Sequence, residues 1–538
     1  MFENTRIQRW SLWLLPLLLL VLAVWRPLSI PDEGRYAEIG RWMLVSGDWI
    51  TPRIDGIAFF HKPPLLYWLE ALSLSVFGVS PWAARCVVVL QAWVMWAVLY
   101  NCAKFFAGAE VARRATWMLG SSMAFLVAGQ YVNHDMMVAT WIGVTIWCFA
   151  RAFLHSGEVS GASVHAGWAR AGFVASALGV LSKGLIGLAL PGLVLLIWIV
   201  YTAQWKKILA LPWVSGVSLF VAISVPWFVL AERAYPGMLN YMFGTQQFAR
   251  YTQTEFNNAQ PWWFYLAAIA LLMFPWVFVV LAQGVEGAWT RWTKRSALHS
   301  SKNAADPVIA LCWIWLVAVL GFFSIPSSKI IGYALPVMPA LAYLAATWWQ
   351  RHWAHKRWAQ ILFTVLVAGA SLLAVVLNHK AGQFTQERGI GQMADVVACA
   401  IEPNEPLAVI DDYPYDLPFY AKRNQTLEVI QDWAHERKVA ADDWRRELFE
   451  GADFDPQPGH LALQPLSRLE VLKADPNAWL LAPKAVGAYS KGAHEGFDVA
   501  FETAAWVLYR PSVAAAKSPV SAQNERLRRC KNQSENQR

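Results

Sequence analysis

Two acids and a base follow directly on the first long apolar run of the sequence. The stretch PDEGRYAEIG supplies Asp32, Glu33 and Arg35 a few residues after LWLLPLLLLVLAVW, a run suited to lipid. Asp32 follows Pro31 and precedes a helix-like stretch, so one interpretation is a cap at a helix start. The other is a functional site, because an ionisable side chain at the edge of the hydrocarbon layer is costly unless it is paired or hydrated.

Other stretches return polar side chains to the edges of apolar runs. They are His61 and Lys62 in HKPP, His134 and Asp135 in YVNHDMM, Lys183 in LSKGLIG, and Lys329 and Tyr333 in PSSKIIGY. Each of them alone could cap a helix or reach for the interface. Together, cations from three loops and carboxylates from two indicate an anionic, membrane-borne substrate next to an acid or a base. Lys329 and Tyr333 lie about one helical turn apart, so both can face the same side.

The sequence leaves a metal site open and predicts no disulfide. His61, His134 and the carboxylates could bind a divalent metal ion, but their spacing matches no compact ligand motif. The six cysteines include no CxxC pair, and four of them lie in apolar runs. We therefore expect neither a disulfide framework nor a zinc–thiolate site, and the sequence indicates no other cofactor.

The composition is that of a polytopic membrane protein. Of the 538 residues, 57% are hydrophobic, only 15% are charged and 32 are Trp, and apolar runs long enough to span a bilayer recur along the chain. The net charge of +8 might indicate nucleic acid. The basic residues are spread over short loops rather than along one stripe, so we predict no nucleic-acid partner.

Eleven apolar runs predict transmembrane helices. They are 11–26, 82–101, 115–130, 136–154, 168–182, 184–203, 208–230, 262–284, 307–325, 330–349 and 358–377. No small-x-small cleavage site follows the first run, so we expect it to remain as a span. Lys and Arg concentrate in cytoplasmic loops, and an N-terminus in the cytoplasm puts the basic short loops on that side. The polar residues named above then all lie on the opposite face.

The remaining segments predict two further structures. The loop 27–81 contains RYAEIGRWMLVSG and PPLLYWLEALSLSVFG, which predict two helices along the membrane interface. From about residue 390 strand-like and helix-like pieces alternate, as in a small α/β domain outside the membrane. We divide the chain into a transmembrane domain (1–380), a soluble α/β domain (381–512) and a tail (513–538) that has little to bury and is expected to be disordered.

The opening stretch also resembles a known family. PDEGRYAEIGRWMLVSGDWITPRIDGIAFFHKPPLLYW is similar to the first external loop of the GT-C membrane glycosyltransferases that use a polyprenyl-phosphate sugar donor. It is most similar to bacterial aminoarabinose transferases and to the protein O-mannosyltransferase-like proteins around them. The resemblance continues through NHD, LSKG, PWF, PWWFYL and SSKIIGYALPVMPALA, and it covers most of residues 27–345.

The resemblance implies roles for individual residues. Asp32 matches the principal catalytic carboxylate, and Asp135 matches a second acid in the same cavity. The residues that match positions around the lipid phosphate are Arg35, Lys62 and Tyr333, with Lys329 as a neighbour; Glu33, His61 and Lys183 are further candidates whose roles stay open. The chain departs from the aminoarabinose transferases at His61, where Glu is usual, and at Gln246 and Gln247, where Glu-His is usual. A metal site that depends on those ligands is therefore not implied.

The fold and function implied are those of a bacterial inner-membrane enzyme. The expected fold is an all-α membrane domain of GT-C type with about eleven transmembrane helices, interfacial helices in the first periplasmic loop and a small periplasmic α/β domain. The N-terminus would be cytoplasmic and the active site periplasmic. The expected partners are a sugar on undecaprenyl phosphate, membrane lipids, and an acceptor such as lipid A or another glycolipid.

Three alternatives stay open. A protein O-glycosyltransferase of the same fold would use a protein acceptor. A transporter or flippase for lipid-linked sugars would instead need ionisable residues or broken helices at the membrane midplane. A non-catalytic assembly protein is supported only by the soluble C-terminal part.

Overall fold

A computed structural model describes residues 12–155, 163–249, 259–293, 306–485, 487–489, 494–512 and 525–531. The first part of the chain is helical, with helices α1 (Leu14–Val24), α2 (Asp32–Ser46), α3 (Leu65–Phe77), α4 (Pro81–Gly120), α5 (His134–Phe153), α6 (Ala166–Lys183), α7 (Ile186–Tyr201), α8 (Lys206–Leu209) and α9 (Trp213–Ala234). Two π-helical stretches, Ala124–Ala128 and Asn240–Ala249, precede α5 and follow α9. The later helices are α10 (Phe264–Leu272), α11 (Val277–Thr293), α12 (Pro307–Ser324), α13 (Met338–His352) and α14 (Arg357–Arg388), with a 3-10 helix, Ile331–Val337, leading into α13.

The described helices make this a multi-pass membrane protein. Six are long and apolar enough to cross a membrane: Pro81–Gly120, His134–Phe153, Trp213–Ala234, Pro307–Ser324, Ile331–His352 and Arg357–Arg388. Four shorter apolar helices accompany them, at Leu14–Val24, Leu65–Phe77, Ile186–Tyr201 and Val277–Trp289. The count of eleven spans stays a prediction.

Helix α4 differs from the two spans and the loop expected at 82–130. The helix continues through the expected loop and is interrupted only at Gly108, whose φ of 84° and ψ of 170° are not helical. Glycine adopts this left-handed region without the steric cost that other residues meet there. The chain therefore changes direction at one residue, and Lys104 and Arg113 lie on helical segments on either side of it.

The first loop forms the two helices expected there. Helix α2 ends at Gly47, which adopts φ 70° and donates its N–H to the Met43 carbonyl at 3.1 Å. A short hairpin, β1 (Arg53–Ile54) and β2 (Ile57–Ala58), then returns the chain to α3. Helices α2 and α3 pack so closely that a Cβ on Gly40 would lie 2.6 Å from the Glu70 Cβ.

The C-terminal part contains a six-stranded sheet. Its strands are β3 (Leu407–Ile410), β4 (Glu428–Ile430), β5 (Leu463–Gln464), β6 (Trp479–Pro483), β7 (Phe497–Glu502) and β8 (Trp506–Pro511), in the order β5-β4-β3-β6-β8-β7. Strands β3 to β6 pair in parallel, and β8 and β7 add antiparallel. The helices around the sheet are α15 (Gly391–Ala400), α16 (Leu417–Ala421), α17 (Trp433–Val439), α18 (Trp444–Phe454), α19 (Pro456–Ala462) and α20 (Arg468–Ala474).

This sheet domain rests directly on the first loop. The Leu28 N–H donates to the Tyr420 hydroxyl at 2.7 Å. A guanidinium NH2 of Arg41 donates to the Arg423 carbonyl at 2.5 Å. A Cβ on Gly34 would approach the Asp416 Cβ to 2.8 Å. Contacts this close leave no room for a flexible joint between α2 and the sheet domain. The division of the chain at residue 380 stays a prediction, and that position lies inside α14.

The expectation of no disulfide is wrong. Cys399 on α15 is bonded to Cys530, which lies in a helical stretch at 525–531. This stretch belongs to the tail that we expected to be disordered, whereas residues 513–524 and 532–538 lie outside the described residues. The pattern of spacings did not reveal the pair because 131 residues separate its members, and only the fold brings them together.

We expect two cysteines to resist alkylation in the denatured, non-reduced protein and to react after reduction. A maleimide-polyethylene-glycol gel shift should count four reactive thiols without reductant and six with it, and the C399S/C530S variant should count four in both conditions. Because the bridge closes a long loop, its loss should lower the stability of the C-terminal domain by about 2–4 kcal/mol. Six reactive thiols without reductant would contradict the pairing.

Candidate functional site

Asp32 is the first residue of α2 rather than its cap. Pro31 occupies the cap position and makes no side-chain capping bond, so the Asp32 carboxylate is turned to other partners. One oxygen accepts from an NH2 of Arg35 at 2.7 Å, and the other accepts from the Asn133 amide at 3.1 Å. The side chain is 30% exposed, so a ligand can reach it.

Glu33 lies at the centre of a buried ion cluster and not in an accessible site. Its carboxylate accepts two bonds from Arg85, at 2.9 and 2.8 Å, and pairs with Arg26. The backbone N–H groups of Ser29 and Val132 complete its shell, at 2.8 and 3.0 Å. Burial alone would raise the pKa of this carboxyl, but Arg85 and then Arg26 outweigh burial and lower the pKa to about 2. Glu33 is therefore a permanent anion that holds the structure.

Arg35 is held between two carboxylates. One end of its guanidinium binds Asp32, and the other end donates to Glu447 on α18 of the sheet domain. The Tyr415 hydroxyl donates to the second oxygen of Glu447. The guanidinium also lies over the Tyr415 ring, 5.0 Å from its centroid.

Asn133 joins the two acids that the sequence singled out. It caps α5 by accepting the Asp135 N–H at 3.0 Å, while its amide nitrogen donates to Asp32. The Asp135 carboxylate pairs with the Lys183 ammonium at the end of α6. A Cβ on Gly332 would lie 2.0 Å from an Asp135 oxygen, so a larger residue there would displace the Asp135 carboxylate. A chain of contacts thus runs from Asp32 through Asn133 and the Asp135 backbone N–H to the Asp135 carboxylate and Lys183.

A cavity of about 330 Å³ begins where this chain of contacts ends. Its lining includes Lys62, Lys183 and Tyr333, and the Lys183 ammonium lies 4.7 Å from the centroid of the Tyr333 ring. The walls are mostly apolar, contributed by Leu185, Ile186, Ala189, Phe243, Phe248, Phe322, Phe323 and Pro326, with Gln246, Gln247 and Ser328 among them. The cavity therefore pairs two cationic side chains with a lipophilic groove.

Lys329 does not share this cavity wall with Tyr333. Lys329 is 5% exposed, and its ammonium donates to the carbonyls of Pro326 at 2.6 Å and of Gln260 at 3.1 Å. The expectation that the two residues lie one helical turn apart is wrong, because the 3-10 helix begins only at Ile331. An isolated bridge between Ala259 and Ser328 holds the preceding segment extended.

His61 forms a second polar cluster beside the cavity. Its Nε2 is 2.7 Å from the Tyr241 hydroxyl, which donates to Glu450 on α18 at 2.5 Å and accepts from the Gln246 amide at 3.0 Å. The ring also stacks on Phe59. His61 therefore links the first loop to the sheet domain.

The residues do not fit the metal site that the sequence left open. Across the described part of the chain, no three His, Cys, Asp or Glu side chains converge as a metal would require. His134 is fully buried, and its ring meets the rings of Tyr36 and Tyr67 edge-on, at centroid distances of 4.7 and 5.2 Å. It lies apart from His61, which is engaged by Tyr241.

Three residues of the site were not predicted from the sequence: Asn133, Glu447 and Tyr415. Asn133 was visible in the NHD stretch, where an Asn two residues before an acid and ahead of an apolar run is a capping signal. Glu447 and Tyr415 gave no such signal, because Glu447 meets Arg35 across 412 positions of sequence. Only the docking of the sheet domain brings them to the site.

Comparisons with known proteins show similarity to membrane glycosyltransferases. The model of the dolichyl-phosphate-mannose-protein mannosyltransferase family matches residues 18–242. An undecaprenyl phosphate-alpha-4-amino-4-deoxy-L-arabinose arabinosyl transferase 2 of Pseudomonas fluorescens is 30% identical over 341 residues, 62% of this chain and 59% of that protein. The enzyme of the same name from Proteus mirabilis is 30% identical over 317 residues, 59% of this chain and 54% of that protein. The chain thus matches somewhat more than half the length of these relatives.

Solved structures match over more of the chain. ArnT from Cupriavidus metallidurans, in a crystal structure bound to undecaprenyl phosphate, has a TM-score of 0.77 at 23% identity and covers 94% of this chain and 98% of its own. The oligosaccharyltransferase of Archaeoglobus fulgidus has a TM-score of 0.52 at 12% identity and covers 90% of this chain and 70% of its own. The chain has the GT-C fold. The resemblance to polyprenyl-phosphate-dependent membrane glycosyltransferases is confirmed.

We expect Glu33→Gln to lower the stability of the protein by about 3–5 kcal/mol, because it leaves two buried guanidinium groups without their anion. The Glu33 pKa lies below its ordinary value of 4.5. Its stabilisation is therefore complete above pH 4.5 and is lost as the pH falls towards 2. Thermal unfolding of the detergent-solubilised protein at pH 6 and pH 3.5 measures both effects.

Glu70→Gln is the matched control. Glu70 is as deeply buried, its oxygens have no hydrogen-bond partner among the described residues, and burial followed by the Glu33 charge raises its pKa well above the ordinary value. Its carboxyl is neutral, so the amide should change stability little. Equal losses in the two variants would contradict the distinction between them.

Proposed function

We propose that this protein is a membrane glycosyltransferase that moves a sugar from undecaprenyl phosphate, or a similar polyprenyl phosphate, to an envelope acceptor on the periplasmic face. One observation carries the proposal. Lys62 and Lys183 line a mostly apolar cavity, and Lys183 pairs with Asp135 in the chain of contacts that leads through Asn133 to Asp32. The similar proteins are arabinosyl transferases and the matching family is one of mannosyltransferases, which supports the same chemistry.

The cavity suits a lipid phosphate. Phenylalanines 243, 322 and 323 offer apolar surface to an isoprenoid chain. Lys62 and Lys183 line the cavity where a phosphate would arrive, and lysine binds phosphate as a point charge. Lys183 already pairs with Asp135, so an arriving phosphate would share that ammonium with the Asp135 carboxylate.

The reaction follows from these positions. An acceptor oxygen attacks C1 of the sugar, the bond from C1 to the phosphate oxygen breaks, and its electron pair leaves with the polyprenyl phosphate. Lys62 and Lys183 stabilise the leaving charge. Asp32 takes the proton of the acceptor, and the Arg35 and Asn133 contacts fix the direction of its carboxylate. Attack from the face opposite the phosphate gives inversion at C1.

Lipid A, or another glycolipid, is the acceptor that we favour, because the similar transferases carry the aminoarabinose name and ArnT shares the fold over nearly its whole length. A protein hydroxyl is the second candidate. It is favoured by the match of residues 18–242 to a family described as transferring mannose to protein.

We further propose that the N-terminus is cytoplasmic and the sheet domain periplasmic. The concentration of Lys and Arg in one set of short loops supports this orientation. The Cys399–Cys530 disulfide supports it independently, because such bonds persist in an oxidising compartment and not in the cytoplasm.

We expect Asp32→Asn to lower transfer at least about 100-fold, since the amide cannot accept the acceptor proton. Mass spectrometry of envelope glycolipids and glycoproteins, from cells lacking the protein and from cells expressing wild type or variant, measures the added sugar and identifies the acceptor. Asp48→Asn is the control, because Asp48 lies in the same loop with a side chain 31% exposed and touches none of these residues. Undiminished transfer by the Asp32 variant, at equal membrane insertion, would overturn the assignment of Asp32.

We expect Lys62→Gln and Lys183→Gln each to weaken binding of undecaprenyl phosphate about 10-fold or more, because each removes a cation from the lining of the cavity. Microscale thermophoresis of the purified protein with undecaprenyl phosphate gives the Kd. Lys380→Gln, on the exposed part of α14, is the control and should keep the wild-type Kd. A wild-type Kd in both cavity variants would place the phosphate elsewhere.

A further inference from the structure

Helix α18 of the sheet domain presents two glutamates to the membrane part of the molecule. Glu447 and Glu450 lie one helical turn apart, so they share a face. Glu447 accepts from Arg35, and Glu450 accepts from the Tyr241 hydroxyl. The sheet domain therefore contributes directly to both polar clusters beside the cavity.

Glu447 holds the Arg35 guanidinium in place, and that guanidinium orients the Asp32 carboxylate. Arg35 uses one nitrogen for each carboxylate, so its position is determined by both. Tyr415 restrains both partners of this pair. Its hydroxyl donates to Glu447, and its ring lies against the Arg35 guanidinium. The side chains of Arg35 and Glu447 are only 13% and 11% exposed, so their pairing is screened little by solvent.

The charge of Glu447 also acts on the site. Asp32 and Glu447 together exceed the single charge of Arg35 by one negative unit, Asp135 offsets the ammonium of Lys183, and Lys62 in the cavity lining balances the remaining negative charge. A lipid phosphate approaching the cavity therefore meets an anion that is bound to the nearby guanidinium. Removal of that anion alone would leave the site more attractive to a phosphate.

We propose that Glu447 is a positioning residue supplied by the sheet domain, which orients the Arg35–Asp32 pair for transfer and lowers the affinity of the site for the anionic polyprenyl phosphate. This inference rests on the proposed function. Glu447 would then have two separate effects. Its charge weakens the binding of the polyprenyl phosphate, and its hydrogen bond with Arg35 makes transfer faster.

The decisive variant is Glu447→Gln in the full-length protein. We expect the Kd for undecaprenyl phosphate to fall threefold to tenfold, and sugar transfer in cells to fall at least tenfold. The gain in affinity should shrink at high salt, because it is electrostatic. A structural defect would weaken binding and transfer together, so a Kd that is unchanged or higher overturns the inference.

Two further variants separate charge from position. Tyr415→Phe keeps the Glu447 charge but removes a hydrogen bond, so it should lower transfer and leave the Kd unchanged; it decides the positioning role if Glu447→Gln does not fold. Glu428→Gln breaks a comparable ion pair, with Arg468, inside the sheet domain, and should change neither quantity. Loss of transfer in the Glu428 variant, or full transfer in the Tyr415 variant, counts against positioning.

The two proposals fail differently. If the wild-type protein binds no undecaprenyl phosphate, the proposed function fails. If it binds the lipid and Glu447→Gln binds it equally well, only the inference about Glu447 fails.

Discussion

The pairing of Glu33 with Arg26 and Arg85 is the interaction on which the site depends. Arg26 follows the end of α1, Glu33 lies in the first turn of α2, and Arg85 lies in the first turns of α4. The same carboxylate accepts the N–H of Val132, in the turn before α5. One anion thus fixes the relative positions of four segments. Asp32 is adjacent to Glu33 in sequence, and Asn133 is adjacent to Val132. The Glu33 cluster therefore also fixes where Asp32 and Asn133 lie.

This arrangement explains how a polar site persists at the edge of an apolar bundle. A buried ion costs several kcal/mol unless its partners are well placed, and Glu33 meets that condition with two guanidinium groups and two backbone N–H groups. Its charge is neutralised within the fold, whereas the Asp32 side chain is 30% exposed. Adjacent acids in one sequence stretch therefore have different environments: one holds the helices together and the other is open to solvent.

The sequence predicted which residues lie together at the candidate site better than it predicted their contacts. Lys62, Lys183 and Tyr333 came from three separate loops and were grouped because each borders an apolar run, and one cavity contains all three. Lys329 met the same criterion but satisfies backbone carbonyls, since the position of a charge along the chain does not reveal which acceptors the fold offers it. Glu33 shows the same limit, because its neighbour Asp32 has an equally acidic side chain and a different environment.

The C-terminal part shows why a remote domain cannot be assigned a role from its composition. It was recognisable as an α/β domain because the alternation of strands and helices is a local property. Its contribution to the site arises from tertiary docking. In sequence, Glu447 and Glu450 of α18 are typical surface residues. In the fold, Glu447 pairs with Arg35 on α2, and Glu450 accepts from Tyr241 in the Asn240–Ala249 helix. The close contacts of Gly34 with Asp416 and of Gly451 with the Ala58 carbonyl leave no gap between the domain and the first loop. A domain seated this closely, with Glu447 bound to Arg35 and Glu450 bound to Tyr241, contacts both polar clusters, and its removal would expose Arg35 and remove the carboxylate that is paired with it.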